Sequence, residues 1–402
     1  MGMKFLHCSD LHLGKKPYFG SEEFKNKRFE DYFSAFGRII EQAKENEVDA
    51  ILIAGDFFDK KETSPNILSN AENLLQKCRE CKIEVVVIEG NHDLIYKNRE
   101  SESWLVYLED KKLLKRPFVD FLENNERKYH SIFIGKTEIF GLGYPGASVD
   151  DELLKFADYC KKNQKQNCIV LVHTALGNNE FIGGFLKDGE VLNKMKNHAV
   201  YIAGGHGHKL QKEPKAEPLF FVPGSPEHYD LAEDAEYKTA IIFDTDSKEH
   251  KILKQKPRHC IKETITLNSA NPEQFREEFD KFLSSIVFSA ENIVIVEIKS
   301  GADGFIPDLK WAEKRILEKG ALFAEVKWKR ENSRSGSSAK ISSLEEIELE
   351  QIKKWQHWGR AANMAAKALA EMRRSIKDGQ MDISSIFDCA LDAVIGGKNE
   401  DK

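Results

Sequence analysis

The stretch Ile83-Glu84-Val85-Val86-Val87-Ile88-Glu89-Gly90-Asn91-His92-Asp93 decides the fold. Its first six residues are mostly apolar and β-branched, which predicts a buried strand that ends at Gly90. Three polar side chains follow: an amide that can bind a metal, an imidazole that can bind a metal or move a proton, and a carboxylate that can fix a histidine tautomer. Gly-Asn and His-Asp are also ordinary turn residues, so these four residues alone favour a turn.

Four other apolar runs also end in polar residues, which changes that interpretation. They are Lys4–Cys8 followed by Asp10 and His12, Ala50–Ala54 followed by Asp56, Cys168–Val172 followed by His173, and Ala199–Ala203 followed by His206 and His208. Helical spacing over 24–46 and 65–82 separates the first three runs, and this alternation predicts a parallel sheet with crossover helices. Open α/β sheets bind ligands at the carboxyl ends of their strands, so five such ends indicate a site.

The residue types at these ends indicate a metal site. Asp-x-His and His-x-His place two ligands on one side of an extended segment, because strand side chains alternate. Mixed nitrogen and oxygen ligands suit manganese, iron or zinc better than calcium. A carboxylate shared by two ions would make a dinuclear site that activates water for attack on a phosphate. The remaining histidines are predicted to be structural or on the surface: His7, His130, His198, His228, His250, His259 and His357.

The pattern divides the chain into four parts. Residues 1–257 form two α/β halves, the second more antiparallel, and residues 258–332 read as a small β-α-β-α-β module. Residues 333–338, rich in serine and glycine, read as a linker. Residues 339–402 form a helical tail in which Trp355, Trp358 and Leu369 recur at helical spacing.

Composition excludes several classes of protein. The 402 residues carry a net charge of −6, which excludes a strongly basic nucleic-acid binder at the level of the whole chain but not local basic patches. No apolar run is long enough for a membrane span, and the N-terminus turns polar too early for a signal peptide, so a cytoplasmic protein is expected. The seven cysteines form no framework, and Cys78 and Cys81 are interpreted as thiols buried by a helix.

The polar clusters at the five strand ends resemble the five motifs of the calcineurin-like metallophosphoesterases. In chain order they read D-x-H, G-D, G-N-H-D, H and G-H-x-H. The chain is more closely similar to the SbcD nuclease branch of that family over about residues 3–245. The stretches that carry this similarity are His7-Cys8-Ser9-Asp10-Leu11-His12-Leu13-Gly14, Ala54-Gly55-Asp56-Phe57-Phe58-Asp59, Gly90-Asn91-His92-Asp93 and Val222-Pro223-Gly224-Ser225-Pro226-Glu227. Leu11 departs from the branch, which often has tryptophan there.

The resemblance implies an α/β fold: a metallophosphoesterase β-sandwich flanked by helices, with a small α/β capping domain and a helical C-terminal tail. It implies two divalent ions, with Mn²⁺ favoured and Mg²⁺, Fe²⁺ and Zn²⁺ as alternatives. The implied ligands are Asp10, His12, Asp56 and His208 for the first ion, and Asp56, Asn91, His173 and His206 for the second. His92 would bind neither ion: it would protonate the leaving oxygen or steady the transition state, with Asp93 orienting it.

The resemblance also implies a substrate and partners. The activity would be that of a 3′–5′ exonuclease and endonuclease on duplex ends, hairpins and single strands, acting in DNA repair with an SbcC-type ATPase. A homodimer would form through the helices near 65–82 and 101–114. Candidate DNA contacts are Lys15, Lys16, Lys97, Arg99, Lys209 and Lys212, although each could equally be a solvated surface residue.

Three alternatives stay open. Trp355, Trp358 and Leu369 would dock on the ATPase, or they would pack within their own helical pair. The protein could be a small-molecule or cyclic-nucleotide phosphodiesterase or phosphatase of the same superfamily. It could also be a non-catalytic scaffold that kept the fold.

Overall fold

A computed structural model describes residues 2–94, 102–122, 126–177, 184–186, 190–233, 237–267, 269–300 and 306–330. Its contacts divide the chain into one unit at 1–331 and a second at 332–402. Every described residue belongs to the first unit. Several residues predicted to be functional lie outside the described residues, as does the whole tail: Lys97, Arg99, Trp355, Trp358 and Leu369.

The helices and strands largely follow the apolar pattern of the sequence. The described helices are α1 (Glu22–Glu45), α2 (Pro65–Glu80), α3 (Trp104–Asp110), α4 (Val149–Lys162), α5 (Glu190–Met195), α6 (Pro272–Ser284) and α7 (Leu309–Glu318). The described strands are β1 (Lys4–Cys8), β2 (Ala50–Ile53), β3 (Glu84–Val87), β4 (Phe118–Phe121), β5 (Arg127–His130), β6 (Ile132–Ile134), β7 (Thr137–Gly141), β8 (Cys168–Val172), β9 (Ala175–Leu176), β10 (Phe185–Leu186), β11 (Ala199–Gly204), β12 (Gln211–Glu213), β13 (Phe220–Val222), β14 (Lys238–Asp244), β15 (His250–Gln255), β16 (Cys260–Leu267), β17 (Ile293–Ser300) and β18 (Phe323–Arg330).

Two large sheets carry the first 255 residues. The five-stranded sheet has the order β15-β14-β1-β2-β3, and the six-stranded sheet has the order β12-β13-β11-β8-β7-β6. In the second sheet β7, β8, β11 and β13 run parallel, and β6 and β12 join its edges antiparallel. Antiparallel pairs are concentrated in the second half, as expected: β6 with β7, β12 with β13 and β14 with β15, whereas β1, β2 and β3 of the first half pair in parallel. Helix α4 serves as the crossover between β7 and β8, and α5 lies between β8 and β11, so these strands align as a parallel sheet.

The two sheets pack face to face with helices outside them. Alternation along the strands divides their side chains: Phe5 and Leu52 lie in the core between the sheets, whereas Leu6 and Ile51 lie in the core against α1 and α2. A third core packs the second sheet against α4 and α5. This is the predicted α/β sandwich flanked by helices, and it brings the carboxyl ends of the parallel strands of both sheets to one edge.

A smaller sheet follows the sandwich. Strands β16, β17 and β18 are parallel and pack on α6 and α7, which gives the predicted β-α-β-α-β order. Arg258 joins this module to α1 through paired hydrogen bonds with Asp31, each 2.6 Å long. The hairpin of β4 and β5 has no counterpart in the sequence prediction, because its strands lack an apolar run. No helix among the described residues is long and apolar enough to cross a membrane.

Candidate metal centre and adjoining groove

The predicted ligands converge where the strands of the two sheets end. Three groups of side chains have ligand atoms within 4.8 Å of one another: Asp10, His12 and His208; His12, Asp56 and His92; and Asp56, His173 and His206. Asp56 belongs to two of these groups. Its Oδ2 lies 3.2 Å from Nε2 of His173 and 3.8 Å from Nε2 of His12. Asp56 therefore occupies the position that a bridging carboxylate needs.

Left-handed backbone aims these side chains into the site. The φ angles of Asp10, His12, Asp56 and His206 are 54°, 44°, 51° and 66°. The extended-segment explanation for their convergence is therefore wrong: tight turns after the strands bring the ligands together. Left-handed backbone costs roughly 1–2 kcal/mol per residue for side chains with a Cβ. Such strain concentrates at functional sites, where the surrounding structure holds it in place.

Gly90 lets the turn of Asn91 approach Asp56. A Cβ at position 90 would lie 2.1 Å from Oδ1 and 2.3 Å from the backbone nitrogen of Asp56. No side chain fits at that distance. Strand β3 already ends at Val87, so the requirement for Gly90 comes from close packing between two loops.

Asn91 contacts two of the predicted ligands of the second ion. Its Oδ1 lies 3.1 Å from His173 Nε2 and 3.1 Å from His206 Nδ1. His173 donates from Nδ1 to the Ala54 carbonyl at 2.7 Å, which leaves Nε2 facing Asn91 and Asp56. Such a backbone acceptor fixes the tautomer and ring orientation of a metal-binding histidine.

His208 has a carboxylate partner that the sequence analysis missed. Its Nδ1 donates to Oε1 of Glu233 at 2.9 Å, which directs Nε2 away from that contact. Burial acts to raise the pKa of Glu233, but the hydrogen bond from His208, the nearby His228 ring (Nδ1 3.7 Å away) and the charge of Lys238 hold it well below its ordinary value. Glu233 therefore remains a carboxylate that orients His208. Its 25-residue separation from His208 hides the pair from any local motif.

Burial and neighbouring charges shift the ionisation of the cluster in opposite directions. Burial raises the pKa of Asp10 above its ordinary value. Burial also acts to raise the pKa of Asp56, but the charge of His173 and its hydrogen bond outweigh it and hold that pKa low. Burial acts to lower the pKa of His173, yet Asp56 raises it to about 9. The buried carboxylates thus attract positive charge, which a divalent cation would supply.

Unpartnered buried atoms test whether these residues fit metal ions. Oδ2 of Asp10 and both ring nitrogens of His12 are buried without a hydrogen-bond partner. Buried polar atoms are nearly always satisfied, so atoms like these call for a further partner such as an ion. Imidazole nitrogens with carboxylate and amide oxygens form a donor set that suits manganese, iron or zinc. The residues fit a divalent metal.

Asp93 holds a loop and does not orient His92, which corrects the role expected from the sequence. Its Oδ2 accepts from the amides of Phe57 and Gly90, each at 3.0 Å, and its Oδ1 accepts from the amide of Phe58 at 2.9 Å. The partner of His92 is instead the carbonyl oxygen of Asp59, to which Nδ1 donates at 2.7 Å. Asp93 therefore ties the loop after β2 to the turn after β3.

We predict that Asp93→Asn lowers the free energy of unfolding by about 2–4 kcal/mol, because an amide in place of the carboxylate leaves buried amide donors unsatisfied. Urea denaturation of the metal-free protein measures the change. Asp308→Asn is the matched control: Asp308 accepts from one exposed amide, that of Trp311, and should cost about 1 kcal/mol or less. Equal losses in the two variants would contradict the role given to Asp93.

A groove of about 760 Å³ opens beside the cluster, with His92 and Asn91 in its wall. Lys15, Lys16, Lys60 and Lys61 line it, together with the carboxylates of Asp59, Glu62 and Asp230. Lys15 lies 3.3 Å from the ring centroid of Tyr229 and 3.5 Å from Oδ1 of Asp59. Two of these lysines, Lys15 and Lys16, are among the predicted DNA contacts. Lys60 and Lys61 were not, although they follow the Asp56 motif by only a few residues.

The other described candidates lie elsewhere. Lys209 is exposed and does not line the groove. Lys212 contacts Nε2 of His250 at 3.2 Å from the edge strand β12. The structure therefore gives these two lysines no place in the groove.

A family model described as "Calcineurin-like phosphoesterase" matches residues 3–210, which is more than half of the 402-residue chain. The chain belongs to the calcineurin-like phosphoesterase family. The matched range contains every predicted metal-site residue, from Asp10 to His208. The resemblance stated from the sequence motifs is thus confirmed at the level of the family.

The relatives that the chain resembles have names that refer to DNA break repair and to the nuclease SbcCD. The DNA double-strand break repair protein Mre11 of Methanosarcina acetivorans is 25% identical over 333 residues, covering 81% of this chain and 50% of the relative. The Mre11 protein of Archaeoglobus fulgidus is 25% identical over 413 residues, covering 98% of this chain and 85% of the relative. A protein named as a subunit of the nuclease SbcCD, from Escherichia coli, is 31% identical over 106 residues, covering 26% and 25%. This chain therefore spans about half the length of the Methanosarcina relative.

Proposed function

We propose that this protein is a two-metal-dependent DNA nuclease that processes DNA ends, hairpins and single strands. The observation that carries the proposal is the meeting of the Asp, His and Asn cluster with a lysine-lined groove at His92. A phosphodiester backbone is the substrate that needs both parts, since lysines position phosphates and the cluster would cleave them. The names of the relatives support DNA as the nucleic acid.

The proposed chemistry assigns each residue a separate task. Asp10, His12, Asp56 and His208 would hold one divalent ion, and Asp56, Asn91, His173 and His206 the other, with Mn²⁺ favoured by the mixed donor set. The bound ions would neutralise the phosphate and lower the pKa of the attacking water. His92, held by Asp59, would supply the leaving oxygen with its proton or stabilise the charge that develops there. Lys15 and Lys60 would hold flanking phosphates.

The test is cleavage by the purified full-length chain with Mn²⁺. Linear duplex, hairpin and single-stranded oligonucleotides are assayed beside bis-nitrophenyl phosphate, and a chelator removes the metal in a parallel set. We expect all DNA cleavage to depend on metal. Hydrolysis of the small ester alone would favour a small-molecule phosphodiesterase and overturn the proposal, and no hydrolysis of either would favour the scaffold.

We also propose two protein partners. A second copy of the chain would bind through α2 and α3, where two sites could face one duplex. An SbcC-type ATPase would bind the tail at 339–402 through Trp355, Trp358 and Leu369. The relatives' names support a nuclease that works within a complex, since one of them is named as part of SbcCD.

Removing residues 339–402 should leave DNA cleavage intact and abolish binding to the ATPase. Buried tryptophan anchors contribute about 2 kcal/mol or more each, so replacing Trp355 and Trp358 with alanine in the full chain should weaken binding by at least about 30-fold. Co-elution on a sizing column and binding titrations measure the binding of the ATPase, and the oligonucleotide assay measures DNA cleavage. A tail-less chain that still bound the ATPase tightly would contradict this role.

A further inference from the structure

Tyr18 stands at the rim of the groove with its ring exposed. It is 85% exposed, the highest value among the large aromatic side chains of the described residues. Its hydroxyl accepts a hydrogen bond from Nζ of Lys60 at 2.9 Å, and the same Nζ lies 5.1 Å from the ring centroid. Lys60 comes from the loop after β2, so this contact joins two walls of the groove.

The loop that carries Tyr18 is fixed at both ends. At its start, the amide of Leu13 donates to the carbonyl oxygen of Phe57 at 2.9 Å, and the amide of Lys15 donates to the carbonyl oxygen of His12 at 3.1 Å. At its end, the ring of Phe19 packs 5.5 Å from that of Phe323. Tyr18 is therefore exposed on a loop whose two ends are held by contacts with the rest of the fold.

Two lysine–aromatic pairs are among the residues that line the groove with His92. Lys15 lies over the ring of Tyr229 near the metal centre, and Lys60 pairs with Tyr18 at the mouth. A positively charged groove with aromatic faces is the arrangement that binds single-stranded nucleic acid, with phosphates on the cations and bases on the rings. Inside a duplex, the faces of the bases are covered by their neighbours, so away from the duplex ends a ring stacks on an unpaired base.

We infer that Tyr18 stacks on the base of an unpaired nucleotide whose strand leads to His92. This inference rests on the proposed nuclease function and adds a residue that selects unpaired strand. Lys60 would hold the ring in place and contact the adjacent phosphate. Tyr18 is thus a specificity-determining residue and takes no part in bond cleavage.

The test compares the affinities of full-length variants for labelled single-stranded and blunt duplex DNA, measured by fluorescence anisotropy in a chelator so that nothing is cleaved. Tyr18→Ala should weaken single-strand binding roughly 5- to 150-fold, the range for loss of one stacked base. Tyr18→Phe keeps the ring and should bind within about twofold of the unmodified protein. The ratio of single-strand to duplex affinity should fall for Tyr18→Ala alone.

Phe133→Ala is the matched control. Phe133 is 57% exposed on β6, at the edge of the six-stranded sheet and away from the groove, and its loss should leave the ratio unchanged. No loss in Tyr18→Ala, equal losses in the alanine and phenylalanine variants, or an equal loss for duplex would each overturn the stacking role while leaving the nuclease proposal standing. Failure of the unmodified protein to bind or cleave any DNA would overturn both.

Discussion

Replacing Asp56 should remove metal binding and catalysis together. Its carboxylate reaches His173 on one side and His12 on the other, at 3.2 and 3.8 Å, and its Oδ1 also accepts from the amide of His92 at 2.9 Å. Loss of an outer partner of a metal ligand typically lowers metal affinity or activity 10- to 100-fold, so loss of a shared ligand should exceed about 100-fold. We expect fewer bound Mn²⁺ ions per chain and no measurable turnover.

Two substitutions separate this loss from misfolding. Asp56 has a φ of 51°, and alanine tolerates left-handed backbone poorly, so Asp56→Ala carries a folding cost. Asn adopts that conformation more readily and keeps an oxygen for the amide of His92, so Asp56→Asn should fold normally and still lose the metal. Metal content after dialysis, titration calorimetry with Mn²⁺ and thermal unfolding measure these effects.

Asp280→Asn is a matched control, since Asp280 pairs with Arg315 in the small module and its loss should change neither metal content nor turnover. A chain with Asp56→Asn that bound two ions and cleaved normally would show that the carboxylate is not shared between them.

The residues of the candidate metal site are predictable from the sequence because each follows a buried apolar run. Such a run has few alternatives to a core strand, and parallel strands bring their carboxyl ends to one edge. The positions of Asp10 and His173 at this edge can therefore be predicted without any knowledge of the turns. The same reasoning gives the small module, whose helices and strands follow simple apolar periods.

The supporting contacts are not predictable in this way. Asp93 sits beside His92 in the chain, which suggests a pair, yet the amides that bind its carboxylate include those of Phe57 and Phe58, which come from a different loop. Glu233 reaches His208 across 25 residues. Local order in the sequence predicts candidate ligands at strand ends, whereas their hydrogen-bond partners depend on how separate loops pack together.

His92 offers the sharpest division of roles in the site. Its ring nitrogen lies close enough to the ligand atoms of His12 and Asp56 to share a metal ion with them, so distance alone does not distinguish it from a ligand. Its Nδ1 donates to the Asp59 carbonyl at 2.7 Å, which fixes the ring and leaves Nε2 as the atom from which the doubly protonated ring would donate a proton. We expect His92→Ala to retain both metal ions and to lower turnover of DNA about 10²- to 10⁴-fold, the range for loss of a general acid.

The nature of the leaving group separates the two roles that His92 could fill. A nitrophenolate leaves readily without a proton, whereas the alkoxide of a DNA strand needs one. If His92 is the proton donor, His92→Ala should lose far more activity on DNA than on bis-nitrophenyl phosphate. If it only stabilises charge on the phosphate, the two losses should be similar.

His130→Ala controls for loss of a histidine, because His130 pairs with Asp120 in the β4–β5 hairpin and should affect neither substrate. Metal content decides the remaining question. A His92→Ala chain that lost an ion would make His92 a ligand, and one that cleaved DNA at the normal rate would leave it without a catalytic role.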